Sequence, residues 1–371
     1  MKILLLLSRC DQTGVTTHTL DLCEALVAQE HDVTVLIGRV KETDEAPESA
    51  MLYQKFIGTG ANIVPYFLPN GNYSTTGKIK SICAIVWYLL WHKFDAIHVQ
   101  SPYLSFVPWL LHRKFVSTLH VTDLVRCFYY KNATHLIAIS RETKEYAKQL
   151  YGYRDEDITI VNHGVSMRFS TLLSEDEKAE KRKALGIPDG KVVIGLVGSV
   201  ERRKGHDVLL EAVRRMPQTL REQVHIVFLG SSKDGKTVDW LNGEIEHSGL
   251  QQQVSWFQYQ SAEQFYKIFD IFALPSHKEG FGLVVIEAML SGCCCVRSNT
   301  EGAYEQIEDG KSGYIFEDGN TDQLSDILSR LVSDATLRKQ VAAAGREKAL
   351  HEFTSEVMAR NTVEVYKKIR R

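Results

Sequence analysis

The sequence is poor in several features that would settle its class at once. It holds only 8 prolines in 371 residues, too few for a Pro-rich linker or a low-complexity disordered chain. No apolar run approaches the roughly 20 residues needed to span a bilayer; the longest, residues 82–91 in "KIKSICAIVWYLLWHKFD", has ten. Neither sign of charge dominates: 44 Lys and Arg stand against 46 Asp and Glu, a net charge of -2. The balance holds along the chain, with 17 basic and 16 acidic residues through position 168 and 27 and 30 beyond it. Bulk charge therefore gives no sign of a nucleic-acid partner. The seven cysteines form no regular framework and no Cys-x-x-Cys pair, so they read as reduced, buried thiols of a cytoplasmic protein. The opening "MKILLLLSRCDQTG" lacks the length and the small-residue cleavage site of a signal peptide, and reads as a first buried strand.

What is present is a long alternation of short apolar runs with helical stretches. "KILLLL", "DVTVLI", "NIVPYF", "AIHVQ", "FVSTLH", "HLIAIS" and "ITIV" fill the first 165 residues, and "VVIGLVG", "VHIVFLG", "VSWFQ", "DIFALPS", "CCCVRS" and "GYIF" follow a charged connector. Buried parallel strands look like this. Two doubly wound α/β domains in tandem are predicted, joined within residues 166–190, with a helical portion after Asp322. In such sheets ligands bind where strand ends lead into helix starts, so the loops after the strands are the places to look.

Three loops of the second half carry chemistry. In "VVIGLVGSVERRKGHDVLLEAV", Arg202, Arg203 and Lys204 follow the strand and precede a helix built on Val208, Leu209, Ala212 and Val213. Cations so placed suit a phosphorylated ligand; a solvated basic loop is the alternative. In "DIFALPSHKEGFGLVVIEAML", Gly280 and Gly282 permit close backbone approach, and the amides near Phe281, Gly282 and Leu283 open a helix, where free N–H groups and the dipole favour an anion. Glu279 precedes that turn and Glu287 lies one helical turn beyond it. A glycosidase pair of carboxylates would have no use for a phosphate-binding turn between them. The spacing fits a ligand with phosphate at its centre, although a capping Glu279 and a solvated Glu287 would give the same sequence. A third loop, "SNTEGAYEQIEDGKSGYIF", brings Glu301, Gly302 and Glu305 to a further turn and short helix. The run Asp155-Glu156-Asp157 mimics a metal-binding Asp-x-Asp but reads as a surface turn.

With these motifs in this order, the chain resembles the retaining GT-B glycosyltransferases of family 4. The Glu-x7-Glu spacing in "HKEGFGLVVIEAM" carries the resemblance, together with "VGSVERRKG", "TGVTTHTLDLCEALVAQEHDVTVL", "STLHVTD", "IAISRETKEYAKQLYG" and "IVNHGV". It implies two Rossmann-like domains facing each other across a deep cleft: an acceptor-binding domain over 1–168, on which a helix near 355–371 packs back, and a donor-binding domain over 169–354. It further implies a nucleotide-sugar co-substrate and no obligatory metal or cofactor. Glu287 would hold the ribose hydroxyls and Glu279 the donor sugar; Gly280, Phe281, Gly282 and Leu283 would present the diphosphate turn. Arg203 and Lys204 would neutralise the leaving diphosphate, His120 would point at the donor sugar with Asp123 nearby, and Gly14 would let the first loop approach the ligand. Three positions depart from the family pattern: Gln12 and Thr13 precede a single glycine, Ser199 stands where an arginine is common, and His163 separates Asn162 from Gly164.

The activity so implied is transfer of a sugar from a UDP-sugar, or a GDP-sugar, to a glycan or lipid-linked acceptor in envelope polysaccharide synthesis. An epimerase or glycoside phosphorylase on the same fold, or a non-catalytic sugar-nucleotide binder, remains the alternative. The tryptophans Trp87 and Trp91, flanked by Lys78, Lys80 and Lys93, fit either an interfacial helix at a membrane or a helix packed on the sheet. The second is the expectation, with the aromatic face turned inward.

Overall fold

A computed structural model describes residues 1–11, 13–38, 47–66, 75–122, 124–125, 127–232, 234–258 and 260–370. The chain forms two compact units, one of Met1–Ser166 with Thr354–Arg371 and one of Met167–Phe353.

The first unit is built on seven strands: β1 (Lys2–Leu7), β2 (Asp32–Gly38), β3 (Asn62–Tyr66), β4 (Ala96–Val99), β5 (Val116–Leu119), β6 (His135–Ala138) and β7 (Ile158–Ile160). They pair in the order β3-β2-β1-β4-β5-β6-β7, every pair parallel. Because side chains alternate across a strand, the leucine-rich β1 feeds two cores. Ile3, Leu5 and Leu7 join one with the helices Gly14–Ala28 and Ser355–Arg370, while Leu4 and Leu6 join another with Ile85 and Leu89 of the helix Thr75–Trp91. An apolar run buried on both faces is what a central parallel strand requires.

The helix Thr75–Trp91 corrects one expectation. Its packed face is the aliphatic one, with Ser81, Ile85 and Leu89 buried, whereas Trp87 and Trp91 are 62% and 73% exposed. Each covered position on the sheet takes a branched or small side chain, and the bulky indoles are left on the outward arc. The cysteines also divide: Cys10, Cys23, Cys293, Cys294 and Cys295 are buried thiols, but Cys83 and Cys127 are exposed. The acidic run forms a short turn, Asp155–Asp157, tied at the surface to Arg154, Lys144 and Lys148.

The second unit repeats the plan with β8 (Val192–Val197), β9 (Val224–Leu229), β10 (Val254–Phe257), β11 (Ile271–Leu274), β12 (Cys294–Ser298) and β13 (Tyr314–Phe316). Their order is β10-β9-β8-β11-β12-β13, again all parallel. The triple-cysteine stretch is thus the start of a buried strand. Strand order reverses between β8 and β11, so the loops leaving these two neighbours flank a topological switch point, where α/β sheets open a crevice.

Candidate functional site

The loop after β8 and the loop after β11 are locked together by backbone. Gly205, which ends the basic turn Arg202–Lys204, adopts φ +70, and a Cβ there would meet the Pro275 carbonyl oxygen at 2.0 Å. Only glycine satisfies both the left-handed conformation and the contact. The amide of His277 donates to the Arg203 carbonyl at 2.8 Å, fixing the register of the two loops.

That register brings together residues 75 positions apart. Lys204 Nζ donates to Glu279 Oε1 at 2.5 Å, and each side chain is only 9% exposed. Burial alone would raise the Glu279 carboxyl, but the charge and hydrogen bond of Lys204 outweigh it and hold the group below its usual range. Arg203, in contrast, is exposed and turned to Glu201, with Nε 2.7 Å from Oε2. Ser199 Oγ donates to the same glutamate at 3.1 Å. Both cations expected to face a diphosphate are therefore balanced by carboxylates, and a ligand would have to share or displace Glu201 and Glu279.

The Gly-Phe-Gly turn opens the helix Leu283–Leu290, with Gly282 as its N-cap at φ +78. The turn is held from behind by Arg297, a fully buried cation at the end of β12. Its guanidinium donates to the Phe281 carbonyl at 3.3 Å, to Thr300 Oγ1 at 3.1 Å and to the Glu301 carbonyl at 3.0 Å, and it bonds the Gln306 side-chain oxygen. Gln306 Nε2 adds a second bond to the Phe281 carbonyl at 2.6 Å. In a trans peptide the N–H points opposite to the C=O, so anchoring the Phe281 carbonyl inward turns the Gly282 amide outward. The amides of Gly282 and Leu283 meet no acceptor among the described residues, leaving the donors an anion would take.

Glu287, one turn into this helix, is separate from the Lys204–Glu279 pair. Tyr266, buried beneath it, donates its hydroxyl to Glu287 Oε2 at 2.7 Å. Burial raises the Glu287 carboxyl above its ordinary value, and the Tyr266 bond and the charge of Arg168 offset this only in part. Leu283 and Glu287 stand on the same helix face by spacing.

The remaining expected residues belong to the first unit. Gly14 is exposed at the start of its helix, capped by Thr13, and a Cβ there would meet nothing within 4 Å. His120 follows β5 and is buried in a polar chain that sequence reasoning missed: its Nε2 lies 3.1 Å from Gln100 Oε1, its Nδ1 3.1 Å from His163 Nε2. The amide oxygen of Gln100 can only accept, so the geometry assigns the proton to His120 Nε2 and makes His163 Nε2–H the donor to Nδ1. Beyond Gln100, His98 bonds Thr118 and Tyr366, each at 2.7 Å. His18 packs on both rings, 4.3 Å from His163 and 4.9 Å from His120 between centroids, and neither of its nitrogens has a hydrogen-bond partner among the described residues. Burial pushes His18 down to about 3 and holds His120 well below its ordinary value, with mutual repulsion adding to it for His120. These imidazoles are neutral at physiological pH.

One nitrogen from each of His18, His120 and His163 lies within 4.8 Å of the other two, the arrangement among the described residues able to converge on a metal ion. The His120–His163 hydrogen bond occupies the lone pair such an ion would need. His163, the residue that separates Asn162 from Gly164 against the family pattern, is a member of this cluster. Asp123 and Gln12 lie outside the described residues. Of the missed residues, Arg297 left a trace in the sequence, a charge ending the apolar "CCCV"; Tyr266, Gln100 and His18 sit in ordinary amphipathic patterns and left none.

Two family models account for most of the chain: one described as Glycosyltransferase Family 4 matches residues 12–169, and one described as Glycosyl transferases group 1 matches residues 177–348. With two all-parallel α/β units, the chain is a glycosyltransferase of the GT-B fold. An uncharacterised glycosyltransferase of Methanocaldococcus jannaschii is 25% identical over 95% of this chain and 94% of its own length. A D-inositol 3-phosphate glycosyltransferase of Corynebacterium jeikeium is 34% identical over 49% of this chain and 45% of its own. Among solved structures, the Anabaena protein HepE in complex with UDP superposes with a TM-score of 0.82 at 21% identity, covering 99% of this chain and all, 100%, of that one.

Proposed function

We propose that the chain moves a hexosyl unit from a nucleotide-diphosphate sugar, a UDP-sugar in first place and a GDP-sugar in second, to a glycan or lipid-linked acceptor, with retention at the anomeric carbon. The observation that carries this is the outward Gly282 and Leu283 amides beside the buried Lys204–Glu279 pair, a site with donors for a diphosphate and a carboxylate for sugar hydroxyls. Glu287 would accept from the ribose hydroxyls, and the turn at 280–283 would bind the two phosphates.

As the glycosidic bond breaks, negative charge grows on the leaving diphosphate. Lys204 is the cation placed to meet it, and Arg203 can swing from Glu201 to add a second. The described residues near the turn offer no free nucleophilic carboxylate: Glu279 is held by Lys204 and Glu287 by Tyr266. This favours attack of the acceptor on the face the diphosphate leaves, over a covalent double displacement. His120, neutral and buried, would contact the donor sugar. The UDP held by HepE supports a UDP donor, and a relative from Staphylococcus aureus, 26% identical over 61% of this chain and named as a capsular polysaccharide biosynthesis glycosyltransferase, supports an envelope glycan product.

The test is nucleotide release from a panel of UDP-, GDP- and ADP-sugars with candidate glycan and lipid-linked acceptors, followed by proton NMR of the product's anomeric linkage. Release of UDP with an α-linked product from an α-donor is expected. Inverted product, or no donor bound or consumed, would sink the proposal.

A further inference from the structure

We propose that the surface built by residues 75–134 docks the first unit on an anionic phospholipid bilayer. Sixteen large apolar side chains are exposed among the described residues, and ten of them lie between positions 79 and 128; only Met167, Leu172 and Tyr304 belong to the second unit. The concentration is organised. On the helix Thr75–Trp91, Ile79, Cys83, Trp87, Leu90 and Trp91 share an outward arc of about 120° at 100° per residue, opposite the packed Ile85 and Leu89. From Ile82 to Trp91 the helix is apolar all round but covered on one side only.

Charge identifies the occupant. The whole chain carries -2, yet residues 75–134 hold seven Lys and Arg against two acidic residues, a local +5. Lys80, Lys93 and Arg113 are exposed, and their side chains make no ion pair or hydrogen bond among the described residues. At the foot of the helix, next to Trp91, His92, Arg113, Lys114 and Arg370 line a cavity of about 290 Å³ with Asp95 as its single carboxylate. Asp95 is already paired with Arg370 at 2.9 Å, and Lys114 donates only to the Ile369 carbonyl. The pocket is thus short of negative charge and of a size for a phosphate-bearing headgroup. Nearby, Lys131 lies 4.7 Å from the ring of Trp109 and 4.5 Å from that of Phe128, a cation set among exposed aromatics.

Indoles with an apolar body and a polar N–H settle at the headgroup level, and unpaired cations beside them add electrostatic attraction to anionic lipid. A second copy of the chain would bring like charge against like charge at a symmetric contact, which disfavours that occupant. Vesicle binding needs neither donor nor acceptor, so its failure would leave the donor-site proposal intact.

The experiment is flotation of the full chain with vesicles containing about one-third phosphatidylglycerol, compared with pure phosphatidylcholine. Binding to the anionic vesicles alone is expected, weakening as salt shortens the screening length from about 10 Å at 0.1 M to about 3 Å at 1 M. The double variant Trp87→Ser, Trp91→Ser should lower the partition coefficient about tenfold or more by removing the apolar anchor. Lys80→Glu with Lys93→Glu should lower it by a similar factor through charge alone. All four positions are exposed, and circular dichroism and thermal melting would show that the fold survives. Equal binding to both vesicle types, no flotation of the wild-type chain, or unchanged partition in both well-folded double variants would overturn the proposal. So would a wild-type dimer that Trp87→Ser, Trp91→Ser converts to monomer without any flotation, since a second copy would then cover this face.

Discussion

Replacing Lys204 by alanine separates two consequences of one ion pair. The substitution leaves Glu279 in a place where both partners are 9% exposed, so solvent can do little to compensate the stranded carboxylate. Breaking a buried pair from one side costs about 3–5 kcal/mol. At roughly 2–4 °C per kcal/mol for a unit of this size, the melting temperature of the second unit should fall by about 6–20 °C. Transfer should fall further than stability explains, by about 10²–10³ in turnover at saturating donor, the usual cost of removing a preorganised group that meets developing charge. The double variant Lys204→Met, Glu279→Gln discriminates the two effects: it should recover much of the melting temperature, because two neutral side chains are left, and none of the turnover. The pH dependence has a fixed sign. Lys204 holds the folded Glu279 carboxyl below its ordinary 4.5, so the pair contributes stability above that value and loses it as pH falls through the lowered one. Wild-type protein should therefore lose stability more steeply in acid than the double variant. Calorimetry from pH 3 to 7 and a coupled nucleotide-release assay measure both quantities. Turnover of Lys204→Ala within threefold of wild type would refute the role given to this lysine.

Other outcomes follow from the same geometry. Glu287 is raised above its ordinary 4.5 by burial, so its contribution to stability is present below that value and lost as pH rises through the folded one. Glu287→Gln should therefore melt no lower than wild type at pH 7 while binding nucleotide at least tenfold more weakly, as titration calorimetry would show; a lower melting temperature would contradict the assignment. Arg297→Lys keeps the charge but not the planar fork that reaches Phe281, Thr300, Glu301 and Gln306. It should cost about 3 kcal/mol in denaturant unfolding and loosen the turn, raising the nucleotide dissociation constant; wild-type values for both would remove Arg297 as the anchor. Gly205→Ala forces a Cβ to within 2.0 Å of the Pro275 oxygen at φ +70, and should destabilise the second unit by about 4 kcal/mol or more, read in the same unfolding experiment.

The fold was legible because burial on both faces writes itself into composition. β1, β8 and β11 are nearly uninterrupted apolar runs, and parallel sheets leave little else that such runs could be. Glu279, Gly282 and Glu287 were legible because glycine, carboxylate and helix start follow each other within nine residues. The Lys204–Glu279 bond was not, since it depends on β8 and β11 becoming neighbours although β9 and β10 intervene in the chain. Gln100, His163 and His18 converge for the same reason, from a strand end, a loop and a helix. The outward turn of Trp87 and Trp91 was misjudged because helical periodicity shows that a stripe exists; which stripe meets the sheet depends on the shapes of the neighbours, and the aliphatic one fits.

The C-terminal helix has a consequence for how the molecule is made. Thr354 and Ser355 return to Val165 through a backbone bridge and a 2.9 Å hydrogen bond, and a Cβ on Gly164 would sit 2.2 Å from the Thr354 carbonyl oxygen. Met358, Val363, Tyr366 and Ile369 then complete the core on one face of β1. During synthesis the first seven strands therefore emerge with this face covered only in part, by the helix Gly14–Ala28 and its neighbours, and stay so until the whole of Met167–Phe353 has been translated. The domain whose strands come first is the one that finishes last, and the core that Ile3, Leu5 and Leu7 of the leucine-rich β1 enter is complete only when the final helix arrives.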